Sequence, residues 1–274
     1  MKSLTKYLNE KLVINKDYHD AMIRPKSFNE LRHIIRDRYN KFGPGTQQKP
    51  IDFNDVDVSN VDSFYSVNMN MGIFENTKFE YIDISDWDVS NAKNMKYMFQ
   101  GCTRLKLIGD LSDWNVTNVK DMSYIFWSCN NLVSVGDLSN WDVSNVEYMT
   151  SMFNNCHYLK SVGDLSKWNV SNVEDMGHIF DMCDNLKSIG DISNWHVSKV
   201  KNMSYMFYEC KQLKSIGDLS KWNISKVEDM CGMFGTCEQL KSVGDLSKWN
   251  VSRVKYMFGM FNNSGITNIP DWCK

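Results

Sequence analysis

The chain has 274 residues, 42% hydrophobic and 23% charged, the balance of a foldable globular protein and not of a disordered or fibrous one. No apolar run approaches the roughly 20 residues of a membrane helix, and the opening MKSLTKYLNEKLVINK alternates polar with apolar residues, so neither membrane insertion nor an export leader is expected. The net charge of −2 hides an asymmetry: residues 1–50 hold 11 Lys and Arg against 5 Asp and Glu, whereas residues 51–274 hold 20 against 28, an acidic body that phosphate would repel, which excludes nucleic acid as a partner.

In chain order, Leu4, Tyr7, Leu8 and Leu12 predict a first helix in the head. Ser27 with Glu30 forms a capping box that starts a second, with Phe28, Leu31, Ile34, Ile35 and Tyr39 on one face. The segment 43–50, rich in Gly and Pro, reads as a hinge. Residues 1–50 are thus a basic helical head, which either caps the first repeat or docks elsewhere.

From residue 51 the chain repeats. Trp87, Trp114, Trp141, Trp168, Trp195, Trp222 and Trp249 are spaced by 27, and the same step carries Phe99 to Phe261, Cys102 to Cys237 and Gly109 to Gly244. A degenerate first unit, 51–86, has Val56 in the tryptophan slot. A truncated last unit, 262–274, has Ser264 in the cysteine slot and Trp272 early, and reads as a lid over the last core face.

Within one unit, Val227, Met230, Met233, Phe234 and Cys237 follow helical spacing behind a Ser225/Glu228 capping box. Leu213 to Leu219, closed by Gly217-Asp218, suits a brief strand and turn. A unit of short helix plus short strand cannot bury its apolar side alone, so neighbours must stack, about 4.8 Å apart if their strands pair.

The unit Val-x-x-Met-x-x-Met-Phe-x-x-Cys-x-x-Leu-x-x-Ile-Gly-Asp-Leu-Ser-x-Trp-Asn-Val-Ser resembles the BspA-like leucine-rich-repeat surface-protein family, including related repeat proteins described from mycoplasmas, over residues 56–272. The resemblance implies an α/β solenoid, a right-handed coil of about seven 27-residue units over 51–274. For many relatives it also implies surface display and binding to host or matrix proteins. The head is similar to leaders on proteins of gut Bacteroidales and their phages. Without an export signal, a cytoplasmic or virion-associated location is expected ahead of a secreted one.

No nucleophile-base pair, metal-ligand spacing or phosphate loop is assembled, so neither catalytic nor metal residues nor a cofactor are expected. The cysteine column reads as buried reduced thiols, with Cys273 the expected reactive one. The column Asp83 to Asp245 reads as Asx-turns, with a row of Ca²⁺ sites as the alternative.

Candidate partner-binding residues come from columns in which repeats disagree. They are Arg104, Asn131, Tyr158, Asn185, Gln212 and Gln239 beside a fixed leucine, and two columns that turn basic toward the C-terminus, giving Lys167, Lys221 and Lys248, and Lys199, Lys226 and Arg253. The expected function is a non-enzymatic protein-interaction or adhesion scaffold. The alternatives are a phage virion or other structural component with the head as assembly tag, and a carbohydrate-binding protein using Trp127, Tyr158 and Tyr208.

Overall fold

The computed structural model describes residues 22–274. The helix expected around Leu4–Leu12 lies outside the described residues. Among the described residues one α-helix is present, α1 (Phe28–Phe42), with four two-residue strands, β1 (Ile51–Asp52), β2 (Tyr65–Ser66), β3 (Met71–Gly72) and β4 (Ile82–Asp83). Strand β1 pairs with β4 in parallel, and β2 with β3 antiparallel.

Helix α1 starts as its capping box dictates: the Ser27 hydroxyl accepts from the Glu30 amide at 3.2 Å, and the Glu30 carboxylate accepts from the Lys26 amide at 2.6 Å. Leu31 and Ile35 are buried against the first repeat, and Arg32 donates to the Gly72 and Ile73 carbonyls at 2.9 and 3.0 Å. The segment read as a hinge is fastened down. The Pro44 carbonyl accepts from the Glu80 and Tyr81 amides, and a Cβ on Gly45 would lie 2.3 Å from the Tyr81 carbonyl oxygen.

The repeats stack in register. Isolated parallel bridges link Asn94 to Asp121 and onward through Tyr148, Asp175, Asn202 and Asp229 to Tyr256. Phe74, Phe99, Phe126, Phe153, Phe180, Phe207, Phe234 and Phe261 form a continuous file of near-parallel rings 5.0–6.0 Å apart. Trp114 and Trp141 lie 6.4 Å apart with planes 1° from parallel.

The expected short strand keeps single bridges only at Tyr81, Leu107 and Ser134, while the helix expected in each repeat does not form and its first turn carries the recurring single bridges. Alternate amides in this segment turn away to the next repeat: Met95 to the Asp121 carbonyl (2.9 Å), Tyr97 to Ser123 (3.1 Å), Phe99 to Ile125 (2.8 Å) and Gly101 to Trp127 (2.7 Å). The amides between them close tight turns, as from Met98 to the Met95 carbonyl. An α-helix would direct all of these along its own axis, leaving the stack unbonded. The Ser225/Glu228 box is likewise absent: the Ser225 amide donates to Asn223 Oδ1 at 3.2 Å, and Glu228 pairs with Lys255.

Side chains bond in the other direction. Each indole N–H from Trp114 to Trp249 reaches the carbonyl 30 residues earlier, as Trp168 does to Leu138 at 2.9 Å, and Cys183 Sγ reaches the Phe153 carbonyl at 3.2 Å. The truncated unit continues the tryptophan file: Trp272 stacks on Trp249 at 6.3 Å and donates to the Leu246 carbonyl. The glycine column is needed for φ near +90° and for close approach, since a Cβ on Gly163 would lie 1.9 Å from Asp137 Oδ1.

Replacing Trp168 by Phe removes the indole hydrogen bond to the Leu138 carbonyl, which keeps the Trp141 amide at 3.1 Å, so the hydrogen bond alone should cost about 0.5–1.5 kcal/mol in urea unfolding. Gly163→Ala should cost at least as much. Equal stability of either variant with the parent would show that these columns are not what joins the repeats.

Candidate protein-interaction surface

Besides the glycine column, two residues per repeat have left-handed backbone. One column is Tyr97, Tyr124, Ser151, His178, Tyr205, Gly232 and Gly259, with φ between +53° and +69°. The other is Gly101, Ser128, Asn155, Met182, Glu209, Thr236 and Asn263, with φ between +55° and +69°. For a bulky L-residue this conformation costs about 1–2 kcal/mol. It is imposed here because the amide of each such residue must face the next repeat.

The strained aromatics gather into two half-exposed clusters. In the first, Tyr97 lies 5.6 Å from Tyr65 and 5.0 Å from Tyr124, Trp127 packs edge-on to Tyr124 at 6.2 Å, and the Lys96 ammonium sits 4.9 Å from the Tyr97 ring centroid. In the second, His178 stacks on Tyr205 at 4.9 Å and Tyr208 meets Tyr205 edge-on at 5.4 Å. Burial raises the hydroxyl pKa of Tyr97, Tyr124 and Tyr205, keeping them neutral donors. Apolar spacing did not point to this ribbon. The signal lay in Gly232 and Gly259 sharing the tyrosine column.

Between the clusters the floor is small and polar. Ser151, Asn154 and Asp181 are buried, and Asn154 Oδ1 and Asp181 Oδ1 have no hydrogen-bond partner. Asp181 Oδ2 lies 2.8 Å from His178 Nδ1, yet burial outweighs this contact and raises the carboxyl pKa. On the same repeats, Asp184 binds His157 and Lys211, each at 2.6 Å, and hydrogen bonds to Asp184 and Glu209 push the Lys211 pKa up to about 12.

The residues chosen from the sequence divide between stitching and display. Asn131 and Asn185 are exposed, but their amides donate to the Thr103 and His157 carbonyls of the preceding repeat at 2.6 and 2.7 Å. Arg104 pairs with Glu80. Tyr158, Gln212 and Gln239 are exposed, Tyr158 by 56%.

The column ending in Lys199, Lys226 and Arg253 begins as a hydrogen-bonded ladder, in which Asn91, Asn118, Asn145 and Asn172 each donate to a carbonyl of the preceding repeat. Lys199 Nζ then caps Asn172 Oδ1 at 2.6 Å, while Lys226 and Arg253 make no hydrogen bond or ion pair among the described residues. Lys167 and Lys221 end short 3-10 turns, Leu165–Lys167 and Leu219–Lys221, and with Lys248 they are exposed.

The aspartate column forms Asx-turns, with Asp110 Oδ1 accepting from the Ser112 amide at 3.0 Å and its equivalents doing the same. Among the described residues no group of three or more His, Cys, Asp or Glu is arranged to hold a metal ion. All eight cysteines are free thiols, six of them buried. Burial raises the Cys237 pKa to about 12, and also raises the pKa of half-buried Cys273, which is therefore not an activated nucleophile.

No curated protein matches the chain. The model of a family described as "Mycoplasma protein of unknown function, DUF285" matches residues 42–162, 128–239 and 188–272. The chain belongs to this family. Similar solved structures include a leucine-rich repeat protein from Eubacterium ventriosum, at 16% identity over 67% of this chain and 43% of that one, TM-score 0.38. Another is a leucine rich cell surface protein from Faecalibacterium prausnitzii, at 17% identity over 62% and 56%, TM-score 0.34. The chain spans less than half the length of the first and little more than half of the second. The structure itself shows a repeat fold, with units of 27 residues stacked in register.

Because the fold raises the Asp181 pKa, its ionised form destabilises the native state, and stability should fall as pH climbs from about 4, the unfolded value. Asp181→Asn should therefore melt higher than the parent at pH 7 and match it near pH 3. Identical melting curves at both pH values would show that the buried carboxyl is not under strain.

Proposed function

We propose that this chain is a non-enzymatic protein-interaction scaffold, a right-handed leucine-rich-repeat solenoid whose contact face is the left-handed aromatic ribbon. The handedness follows the strong preference of crossovers between parallel strands. The observation that supports the contact face is the placing of Tyr97, Tyr124 and Tyr205 at φ of +60°, +60° and +53°, where Gly232 and Gly259 would be unstrained. Costly conformations that hold half-exposed rings concentrate at binding and catalytic sites. Tyrosine and tryptophan give large contact area for little lost rotamer freedom.

The rings lie against one another, so their edges and hydroxyls are what a partner meets. That arrangement favours a protein surface over a sugar, which needs an open ring face. Of the variable column beside the fixed leucine, Tyr158, Gln212 and Gln239 are exposed and available to a partner, as are Lys226, Lys248 and Arg253 in the two basic columns. Asn131 and Asn185 serve the scaffold instead.

The test separates display from folding. Tyr124→Gly combined with Trp127→Ala should reduce partner capture at least tenfold, with photo-crosslinking at position 208 as the readout in cells. Its melting temperature should fall by no more than a few degrees, because relief of backbone strain offsets lost ring packing. Gln212→Ala should leave capture within about twofold. Undiminished capture by the aromatic double variant would remove this face from the reading.

A further inference from the structure

Four consecutive repeats place a lysine directly after the fixed leucine: Lys160, Lys187, Lys214 and Lys241. All four are exposed. The first three make no ion pair or side-chain hydrogen bond among the described residues, and Lys241 Nζ reaches only the Glu238 carbonyl. Two residues on from each lysine, the Val162, Ile189, Ile216 and Val243 carbonyls accept from amides of the preceding repeat at 2.8–2.9 Å, so the four backbones are held in register. The ammonium groups therefore leave the stack as a single file along its axis.

Elsewhere the chain neutralises stacked charge. Lys106, in the same column as the file, pairs with Glu80 at 2.9 Å, and another column forms the cross-repeat pairs Lys120–Glu147, Lys201–Glu174 and Lys255–Glu228 at 2.6–3.5 Å. Like charges one repeat apart, about 5 Å, repel by somewhat more than thermal energy even in water, so the unanswered file favours an anion from outside. Beside the file the surface is rich in donors. Ser161, Ser188, Ser215 and Ser242 are exposed, and each hydroxyl oxygen accepts from the glycine amide two residues on at 3.1–3.5 Å, which leaves its proton to donate. Gln212 and Gln239, two residues before Lys214 and Lys241, are exposed as well.

We propose that this strip is a second binding site, which takes a linear acidic polysaccharide laid along the stack. Its carboxylates would meet the lysine file, and its hydroxyl and ring oxygens the serine hydroxyls and glutamine amides. Two features select a narrow, polyhydroxylated chain. Four residues beyond each lysine stands an exposed aspartate, Asp164, Asp191, Asp218 or Asp245, so a broad anionic surface such as a duplex or a membrane would meet carboxylates together with the lysines. A single chain can lie on the lysine file alone. An acidic peptide draws its affinity beyond charge from apolar anchors, and apart from Tyr158 the strip offers it none. The site uses none of the aromatic ribbon's side chains.

Calorimetric titration of a short oligogalacturonate into the whole protein should show saturable binding that weakens as salt is added. The fully methyl-esterified oligomer, with the same rings and no charge, should not bind. Lys187→Gln with Lys214→Gln should weaken binding about fivefold or more while melting no lower than the parent, since the pair of changes removes repulsion and no bond. Lys226→Gln with Arg253→Gln removes the same charge from another column and should alter affinity by less than about twofold. Should the lysine double variant melt early, Lys187→Arg with Lys214→Arg decides: it keeps the charge and should bind as the parent does. The proposal is overturned by no saturation up to about 1 mM, by equal binding of the esterified oligomer, or by poly-L-glutamate binding as tightly. Equal losses in the two glutamine variants, or loss of binding in the arginine variant, would overturn it as well.

Discussion

The structure depends on one recurring interaction, the row of backbone hydrogen bonds by which alternate amides of one repeat meet alternate carbonyls of the next. Between Met95 and Gly101 four amides leave the repeat in the same direction. To aim alternate amides one way while the chain continues turning, every fourth residue passes into the left-handed region, as at Tyr97 and Gly101. The cost in backbone strain is offset by burial on both sides of a continuous file of Phe, Met and Cys side chains that are almost wholly inaccessible to solvent. Regular secondary structure is therefore scarce although the core is close-packed.

The fixed polar columns become intelligible as satisfaction of what the backbone row leaves over. Indole N–H groups, thiols and asparagine amides all reach back to carbonyls of the preceding repeat, while Asp110 and its equivalents satisfy local amides in Asx-turns. The indole donors would otherwise be buried unpaired, at a cost of about 1–3 kcal/mol each, and the carbonyls of Leu111 and Phe126 take an indole and a thiol as second partners beside the Trp114 and Cys129 amides. Cysteine is kept for its weak donor and small volume, and burial that raises its pKa makes it unsuited to redox chemistry. The repeats are thus bonded forward by the amides of the turn segment and backward by side chains and a second row of amides, as from Glu147 to the Lys120 carbonyl and from Glu174 to the Glu147 carbonyl. Neither set alone would fix the register, because a slip of one residue would orphan both.

Much of this was legible in the sequence. The period of 27, the stacked Phe and Trp files, the Ser27 capping box and the Asx-turns at Gly-Asp all followed from spacing and residue chemistry. The helix over Val227–Cys237 was misread because apolar spacing reports which residues face the core and is silent about where amides point. A run of tight turns alternating between right- and left-handed backbone places the same residues inward as a helix does. The corrective clue was present in small or turn-forming residues four apart, Gly232 with Thr236 and Gly259 with Asn263. The asparagine ladder was missed for a similar reason: Asn172 and Lys199 occupy one column, but only asparagine is short enough to reach back to a backbone carbonyl, and Lys199 meets the Asn172 side chain instead.

The division between scaffold and display follows from the same geometry. Because each repeat touches only its neighbours, strain at one left-handed position is borne by the two bonded rows on either side and does not propagate along the stack. A tyrosine at position 124 costs no more for there being another at 205, so the tyrosine column is free to vary in ring, hydroxyl or imidazole without altering the backbone beneath it. The tryptophan column has no such freedom, since its N–H completes a carbonyl of the repeat before. Variation also reaches columns that bond the scaffold, as where Asn131 and Asn185 alternate with Tyr158, but there each change gains or loses one hydrogen bond to the neighbouring repeat, whereas a change at tryptophan also breaks the stacked file.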